Sequence, residues 1–428
     1  MRMNLREAGL ALAAVLVLAA CVPARPKAGA DINSIAAATQ AAARRGDHKT
    51  VIEELTILAQ RWPDRLSGMN SDFIARAVND ARRLPSRDAF PFLQALYGAH
   101  WKLKGGIEPS AAWRDLALLL LERNRQAEAF EVASRIGDPY VLISIRADRR
   151  FDSVVAANPA RFAVDAAAQR EFHDLEAASD ASPRLLVLQV QILGALMHQR
   201  HYAAMLGAAD SVLAAIRSTN YPEHLYDDLS DQEPWFLEYR SIALYRMGRW
   251  DDAVTQLQEA ADLFENHAGN VSQRIDLGEL DCDLGRPKDA LAAIGDITAP
   301  VSPYGGMQIE KIRLEAAVQL GDGDQVKRSL GYLRMHRAVS SETYEEALIA
   351  VGDVDGAARV LTGRIEDPRE RLDALASVQE YASEPQGPGP VAAILDARFH
   401  ATIAREDVQG AIRRVGRVER YDLAADFE

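Results

Sequence analysis

Few side chains of this sequence stand at spacings that support chemistry. His198 and His201, in "HQRH", put two imidazoles three residues apart at the end of an apolar run, a spacing that can form one side of a metal site. No third ligand accompanies them, so the pair is expected at an exposed corner and no metal is assigned. The segment "YPEHLYDDLSDQEPWF", Tyr221 to Phe236, gathers Glu223, Asp227, Asp228, Asp231 and Glu233. A calcium loop of the EF-hand type needs alternating oxygen ligands, a glycine and a closing glutamate, and this segment has no glycine. It reads as a solvated loop leading into a helix; a docking patch for a basic partner and a cation site are the other readings. Cys282 lies between Asp281 and Asp283, whose charges disfavour a thiolate, so the thiol is expected to be buried and inert. The patterns HExxH, GxSxG, the P-loop, GxGxxG and CxxC are all absent, and no catalytic residue or cofactor is assigned.

The elements that position these residues are helices joined at repeated corners. "GDHKTVI" from Gly46, "GRWDDAV" from Gly248, "GRPKDAL" from Gly285, "GDGDQVK" from Gly321 and "GDVDGAA" from Gly352 each follow one apolar helical stretch and precede another. Glycine accepts the left-handed cap that ends a helix, and an aspartate just after it can cap the next one. The last four corners are 37, 36 and 31 residues apart. "RRFDSVV" at Arg149 and "RHYAAML" at Arg200 are weaker copies that keep the aromatic residue without the glycine. No strand-like alternation of convincing length appears, so the expected class is all-α.

This period and pattern resemble the tetratricopeptide repeat, whose unit is 34 residues. The family places small residues at positions 8, 20 and 27, where two helices approach closely. Here these fall on Gly278 and Ala290 in one copy, and on Ser241, Ala253 and Ala260 in another. A further copy carries Trp113, Leu116, Ala117, Leu120 and Ala129 at positions 4, 7, 8, 11 and 20. The resemblance covers residues 32–62 and 111–363. It implies an α-solenoid of stacked antiparallel helix pairs, a right-handed superhelix with irregular insertions. Residues 32–110 are expected to form N-terminal helical repeats with an insertion, 111–363 the solenoid, and 364–428 a helical cap broken by "EPQGPGP". Phe73, Ile74, Val78 and Leu84 stand at helical spacing within the insertion, and "YGAHWKLKGGIEPS" reads as a longer loop.

Members of this family bind peptides along the first helix of each pair. The resemblance carries that role onto Trp235, Glu238, Ile242, Tyr245 and Arg246, then onto Ser272, Ile275, Glu279, Cys282 and Asp283, then onto Gln308, Lys311, Glu315, Val318 and Gln319. Aromatic groups among mostly acidic ones suit an extended segment bearing Lys or Arg. The other reading is that Trp235 and Tyr245 only pack between neighbouring helices.

The N-terminus indicates a compartment. Arg2 and Arg6 precede an apolar run, Ala8 to Ala20, shorter than the roughly 20 residues that a spanning helix needs. "LAAC", ending at Cys21, resembles the bacterial lipobox. The resemblance implies that residues 1–20 are a cleaved signal peptide, that Cys21 is lipidated, and that 21–31 form a flexible linker. Val22 in place of Asp is similar to the pattern that sorts lipoproteins to the outer membrane, facing the periplasm; the inner membrane is the alternative. The formal charge is −13, and loss of Arg2, Arg6 and Glu7 would leave −14, which disfavours nucleic acid and favours a basic or neutral partner. The expected function is a non-catalytic, membrane-anchored scaffold or adaptor in envelope assembly, cell-wall maintenance or secretion. The alternatives are an envelope enzyme acting on peptide or glycan near His100, Trp101, Glu108 and the Asp227 cluster, and a structural spacer.

Overall fold

The computed structural model describes residues 32–66, 68–82, 84–265, 268–295, 297, 301–385, 387 and 389–425. The expected signal peptide, Cys21 and most of the linker lie outside them. The described residues are helical apart from connecting segments and one hairpin, which pairs Phe264–Glu265 with Ala268–Gly269. No helix among them is long and apolar enough to cross a membrane. Two compact units result, one of residues 32–146 and 150–167, the other of 147–149 and 168–425. The division falls inside the stretch 111–363.

In the first unit, helix Ile32–Arg44 packs on helix His48–Arg61, and the Asp47 carboxylate caps the second by accepting from the Thr50 amide at 3.1 Å. Helix Ser71–Arg82 buries Ile74, Ala77, Val78 and Ala81 and leaves Phe73 only half-buried. The apolar stripe is thus carried by alanines that a search for large residues passes over. Helix Ser110–Leu121 packs on Gln126–Ala133, with Ala117 and Ala129 fully buried. The buried Trp113 sits edge-on to Tyr97, centroids 5.2 Å apart, and its indole N–H donates to Glu108 at 2.8 Å.

The second unit runs through successive pairs: Leu186–His198 with Tyr202–Arg217, Leu229–Arg246 with Trp250–Ala261, Val271–Asp283 with Pro287–Gly295, Pro303–Leu320 with Gly323–His336, and Ser341–Val351 with Val354–Glu366. Within each pair the helices pack together, and the first helix of each pair also packs on the first of the next. Small residues permit this: Ser241 is fully buried and donates to the Ala253 carbonyl at 2.7 Å, while a Cβ at Gly278 would meet Ile312 and Ile294 at 3.2–3.3 Å.

Gly46, Gly248, Gly285, Gly321 and Gly352 all have positive φ, between 68° and 81°, as a left-handed corner requires. The aspartate cap follows only where Asp comes directly after glycine: Asp47, Asp322 and Asp353 each accept from an amide three residues on. After Gly248, Arg249 takes the cap position with no capping bond and pairs with Asp252 instead. Arg200 adopts the same left-handed corner, φ 62°, without glycine, whereas the Arg149 copy makes a 3-10 turn, Arg149–Phe151.

The terminal region starts with helix Arg371–Ser377. The described residues between 378 and 389 are non-helical, helices Pro390–Ile403 and Glu406–Val415 follow, and the described residues after them, to 425, are without helix. Helix 406–415 packs Val408, Ala411 and Ile412 against Leu361 and Ile365. Its arginines are engaged with carboxylates, Arg405 with Asp355 and Asp407, Arg413 with Glu406, and Arg414 with Glu366.

Candidate functional site

The first helices of the pairs bring most of the expected partner-binding residues onto one connected run. Glu238, Ile242, Tyr245, Glu279 and Lys311 are buried; Trp235, Arg246, Asp283 and Glu315 are half-buried. The buried charges are tied from helix to helix. Glu238 accepts from the Gln273 amide at 2.8 Å and is hydrogen-bonded to Asp276. Burial pushes Glu238 up to about 7 and holds Asp276 well above the usual carboxylate range, with Glu238 and Glu279 adding to the latter. Lys311 lies 3.0 Å from Glu279 and 3.1 Å from Glu346. Burial works against its charge, but Glu279, Glu346 and Glu315 outweigh it and keep the ammonium protonated. Glu315 is pushed to about 8 by burial and by Glu279, Asp283 and Glu346, against the pull of Lys311. In the next pair Arg364 meets Glu345 at 2.8 Å and Glu342 at 2.9 Å, and burial still raises Glu345 to about 7. Gln319 donates to the Cys282 carbonyl at 2.9 Å, and burial raises the Cys282 thiol far beyond its ordinary value.

At the C-terminal ends of these helices a different arrangement begins. Ser383, Glu384 and Gly387 lie against the corner at Arg200 and the last turns of helices 229–246 and 271–283. The Glu384 carboxylate, with a side chain 10% exposed, takes Arg200 at 2.9 Å, the Tyr202 hydroxyl at 2.6 Å and, at 4.0 Å, Arg246. Arg200 also donates to the Ser383 carbonyl at 3.0 Å and pairs with Asp422 at 3.1 Å. A Cβ on Gly387 would lie 3.2 Å from the Tyr245 hydroxyl oxygen and 3.4 Å from the Asp283 carbonyl. Glycine is therefore the residue that lets the main chain come this close. Burial, with the Asp283 charge, pushes the Tyr245 phenol up to about 12.

Arg200, Tyr202, Glu384 and Gly387 were not among the expected site residues. Sequence carries two faint signals of them: a corner copy with arginine where glycine belongs, and a proline- and glycine-rich break too polar to serve only as a turn.

The remaining chemical candidates are engaged in holding structure. His198 faces Glu171 at 3.8 Å. Asp228 is buried and accepts from the Leu186 and Val187 amides at 2.7 and 3.3 Å, anchoring the start of helix 186–198, while Asp227 pairs with Arg184. Glu108 holds the Trp113 indole and lies 3.5 Å from Lys102 and 3.7 Å from Arg135. Trp101 is buried and His100 exposed. Among the described residues, no group of three or more His, Cys, Asp or Glu side chains is placed to hold a metal ion.

The chain matches no model of a known protein family, and no curated protein matches it.

Proposed function

We propose that this chain is a non-catalytic scaffold moored to the bacterial cell envelope by a lipidated Cys21. In this reading its tetratricopeptide-like pairs stack as an α-solenoid and hold a protein or peptide partner along the first helices of the pairs. The observation that carries the reading is the seating of Ser383, Glu384 and Gly387, which side chains at the ends of these helices already hold. The left-handed glycine corners and the small residues at helix crossings support the repeat architecture. Half-buried Trp235 and Asp283 supply an aromatic anchor and an acidic group for a partner with basic or neutral character. The buried members, Glu238, Ile242, Glu279 and Lys311, serve by fixing the helices that present the others.

A photo-crosslinking residue at Trp235, tested in intact cells, should trap one discrete protein that is lost when a probe at Met335, on the exposed side of helix 323–336, is used instead. No adduct from Trp235 or Glu315, in protein of unchanged helical content, would overturn the partner-binding reading. Cys21→Ala should move the protein from the membrane to the soluble fraction. A chain with Cys21 intact that is already soluble and carries no acyl mass would overturn the mooring.

A further inference from the structure

We propose that a pocket between the end of helix 323–336 and helices 341–351 and 354–366 is a site for a phosphate ester, free in solution or on a lipid headgroup. The pocket measures about 270 Å³, and its lining includes Arg337, Arg359, Tyr344, Leu348, Val360 and Asp353. Pockets for drug-sized ligands hold about 300–1,000 Å³, so this one takes a small molecule or the head of a larger one. Tyr344 and Leu348 are one helical turn apart, on the face of helix 341–351 turned away from Glu342 and Glu346. The site is therefore separate from the first-helix residues assigned to a partner, and it does not rest on that assignment.

Charge is the first argument. The acids of helices 341–351 and 354–366 are committed elsewhere: Glu342 and Glu345 meet Arg364 at 2.9 and 2.8 Å, Glu346 meets Lys311 at 3.1 Å, and Asp355 and Glu366 pair with Arg405 and Arg414. Asp353 accepts from the Gly356 amide at 2.8 Å and forms an ion pair with neither pocket arginine. Arg337 and Arg359 are exposed; Arg337 donates to the Arg334 carbonyl at 3.0 Å, and among the described residues Arg359 has neither a hydrogen bond nor an ion pair. Two guanidiniums thus stand beside one carboxylate, in a chain whose 62 acidic residues outnumber its 49 lysines and arginines. Both can close on an anion without breaking an existing ion pair, and both keep their charge at any pH the protein meets.

The second argument is the number and origin of the donors. The Tyr344 hydroxyl is also without a partner among the described residues, so donors come from three separate elements. A carboxylate offers two oxygens in one plane, whereas a phosphate offers three strong acceptor oxygens that donors on separate elements can share. The third argument is the wall beside them. Leu348 is buried and Val360 half-buried, an apolar surface that favours an ester with an organic body over inorganic phosphate.

The test is calorimetric titration of the full chain with phenyl phosphate, benzoate, inorganic phosphate and the soluble short-chain lipid dihexanoyl-phosphatidylglycerol. One of the two phosphate esters should bind more tightly than both benzoate and inorganic phosphate. Arg337→Gln and Arg359→Gln, both at exposed positions, should each weaken that binding on the order of tenfold, and the double variant should lose it at an unchanged melting temperature. Asp353→Asn keeps a capping oxygen while removing the pocket's negative charge, so it should tighten binding. Arg328→Gln, outside the pocket, should leave it as it was. Tighter uptake of the lipid than of phenyl phosphate places the phosphate on a headgroup, and the reverse order places it on a soluble ester. The proposal is overturned if neither ester is taken up, if uptake is indifferent to both arginines, or if benzoate or inorganic phosphate binds as tightly as the better ester. Weaker binding in Asp353→Asn would mean that the pocket reads a cation, and would overturn it as well.

Discussion

Two charged regions of the second unit bury charge in opposite ways. Along the helices from 229–246 to 341–351 carboxyls predominate: Asp276, Glu279, Glu315 and Glu346 act on a single lysine, Lys311, and Glu238 is buried beside Asp276. At the corner of Arg200 and Arg246 the arginines are met by carboxylates from a distant stretch of the chain, Glu384 and Asp422. A carboxyl can shed its charge by taking up a proton, so surplus acids can be buried permanently with their pKa values raised. An arginine has no such escape and must be met by an anion. The same unit therefore contains a run that sheds charge by protonation and a corner that balances charge by ion pairs.

The comparison is tested most severely by Lys311→Met. Removing the cation that Glu279 and Glu346 share should cost about 3–5 kcal/mol at pH 8, measured by urea unfolding. The loss should shrink at pH 5, where the carboxyls neutralise themselves; an equal loss at both pH values would contradict the account.

Titration sharpens the same point. Glu238, Glu315 and Glu345 keep their protons in the folded chain at pH values where the unfolded chain has released them, since an ordinary glutamate titrates at 4.5. Their contribution is full below about pH 4.5 and is lost as pH rises through about 7 and about 8. Asp47 and Asp407, held low by Thr50 and Arg405, act in the other direction and lose their contribution only in acid. The melting temperature should therefore peak in mildly acidic buffer and fall toward pH 8.5, and Glu315→Gln should flatten that fall. A melting temperature that rises from pH 5 to 8.5 would count against the buried run.

Packing gives a smaller effect. Gly278→Leu should cost about 1–3 kcal/mol because Ile312 and Ile294 leave no room, whereas Gly207→Ala, where a Cβ meets nothing within 4 Å, should be neutral or stabilising. Smallest is the cap: Asp353→Ala should lose about 1 kcal/mol by thermal unfolding, and Arg249→Ala, which removes no capping bond, distinctly less.

What could be read from the sequence was local. A left-handed corner can be inferred at Gly248 or Gly352 because the requirement falls on one residue's own backbone. The aspartate cap was legible for the same reason at Asp47, Asp322 and Asp353. Arg200 shows where this stops, for its corner is imposed by surroundings that no window around it reveals. The run of buried charges was half-visible: the family resemblance picked out Glu238, Glu279 and Lys311, but their burial and mutual pairing depend on the neighbouring helix. A signal did exist. Glu238 to Gln273 and Lys311 to Glu346 are both separations of 35 residues, close to one repeat, so complementary residues one period apart mark contacts between successive pairs. The docking of Glu384 on Arg200, 184 residues away, follows no period and had no such mark.

The tail after helix 406–415 sets a condition on when this unit can be completed. The Arg417 amide donates to the Ala147 carbonyl at 3.0 Å and the Ala424 amide to the His198 carbonyl at 2.9 Å, while Gly416 approaches Ala147 too closely for any Cβ. Residues 147 and 198 thus wait for residues 417 and 424 before their hydrogen bonding is finished. More than two hundred residues must be made and brought back before these pairings close, so the early helices are held open to solvent until the later ones arrive.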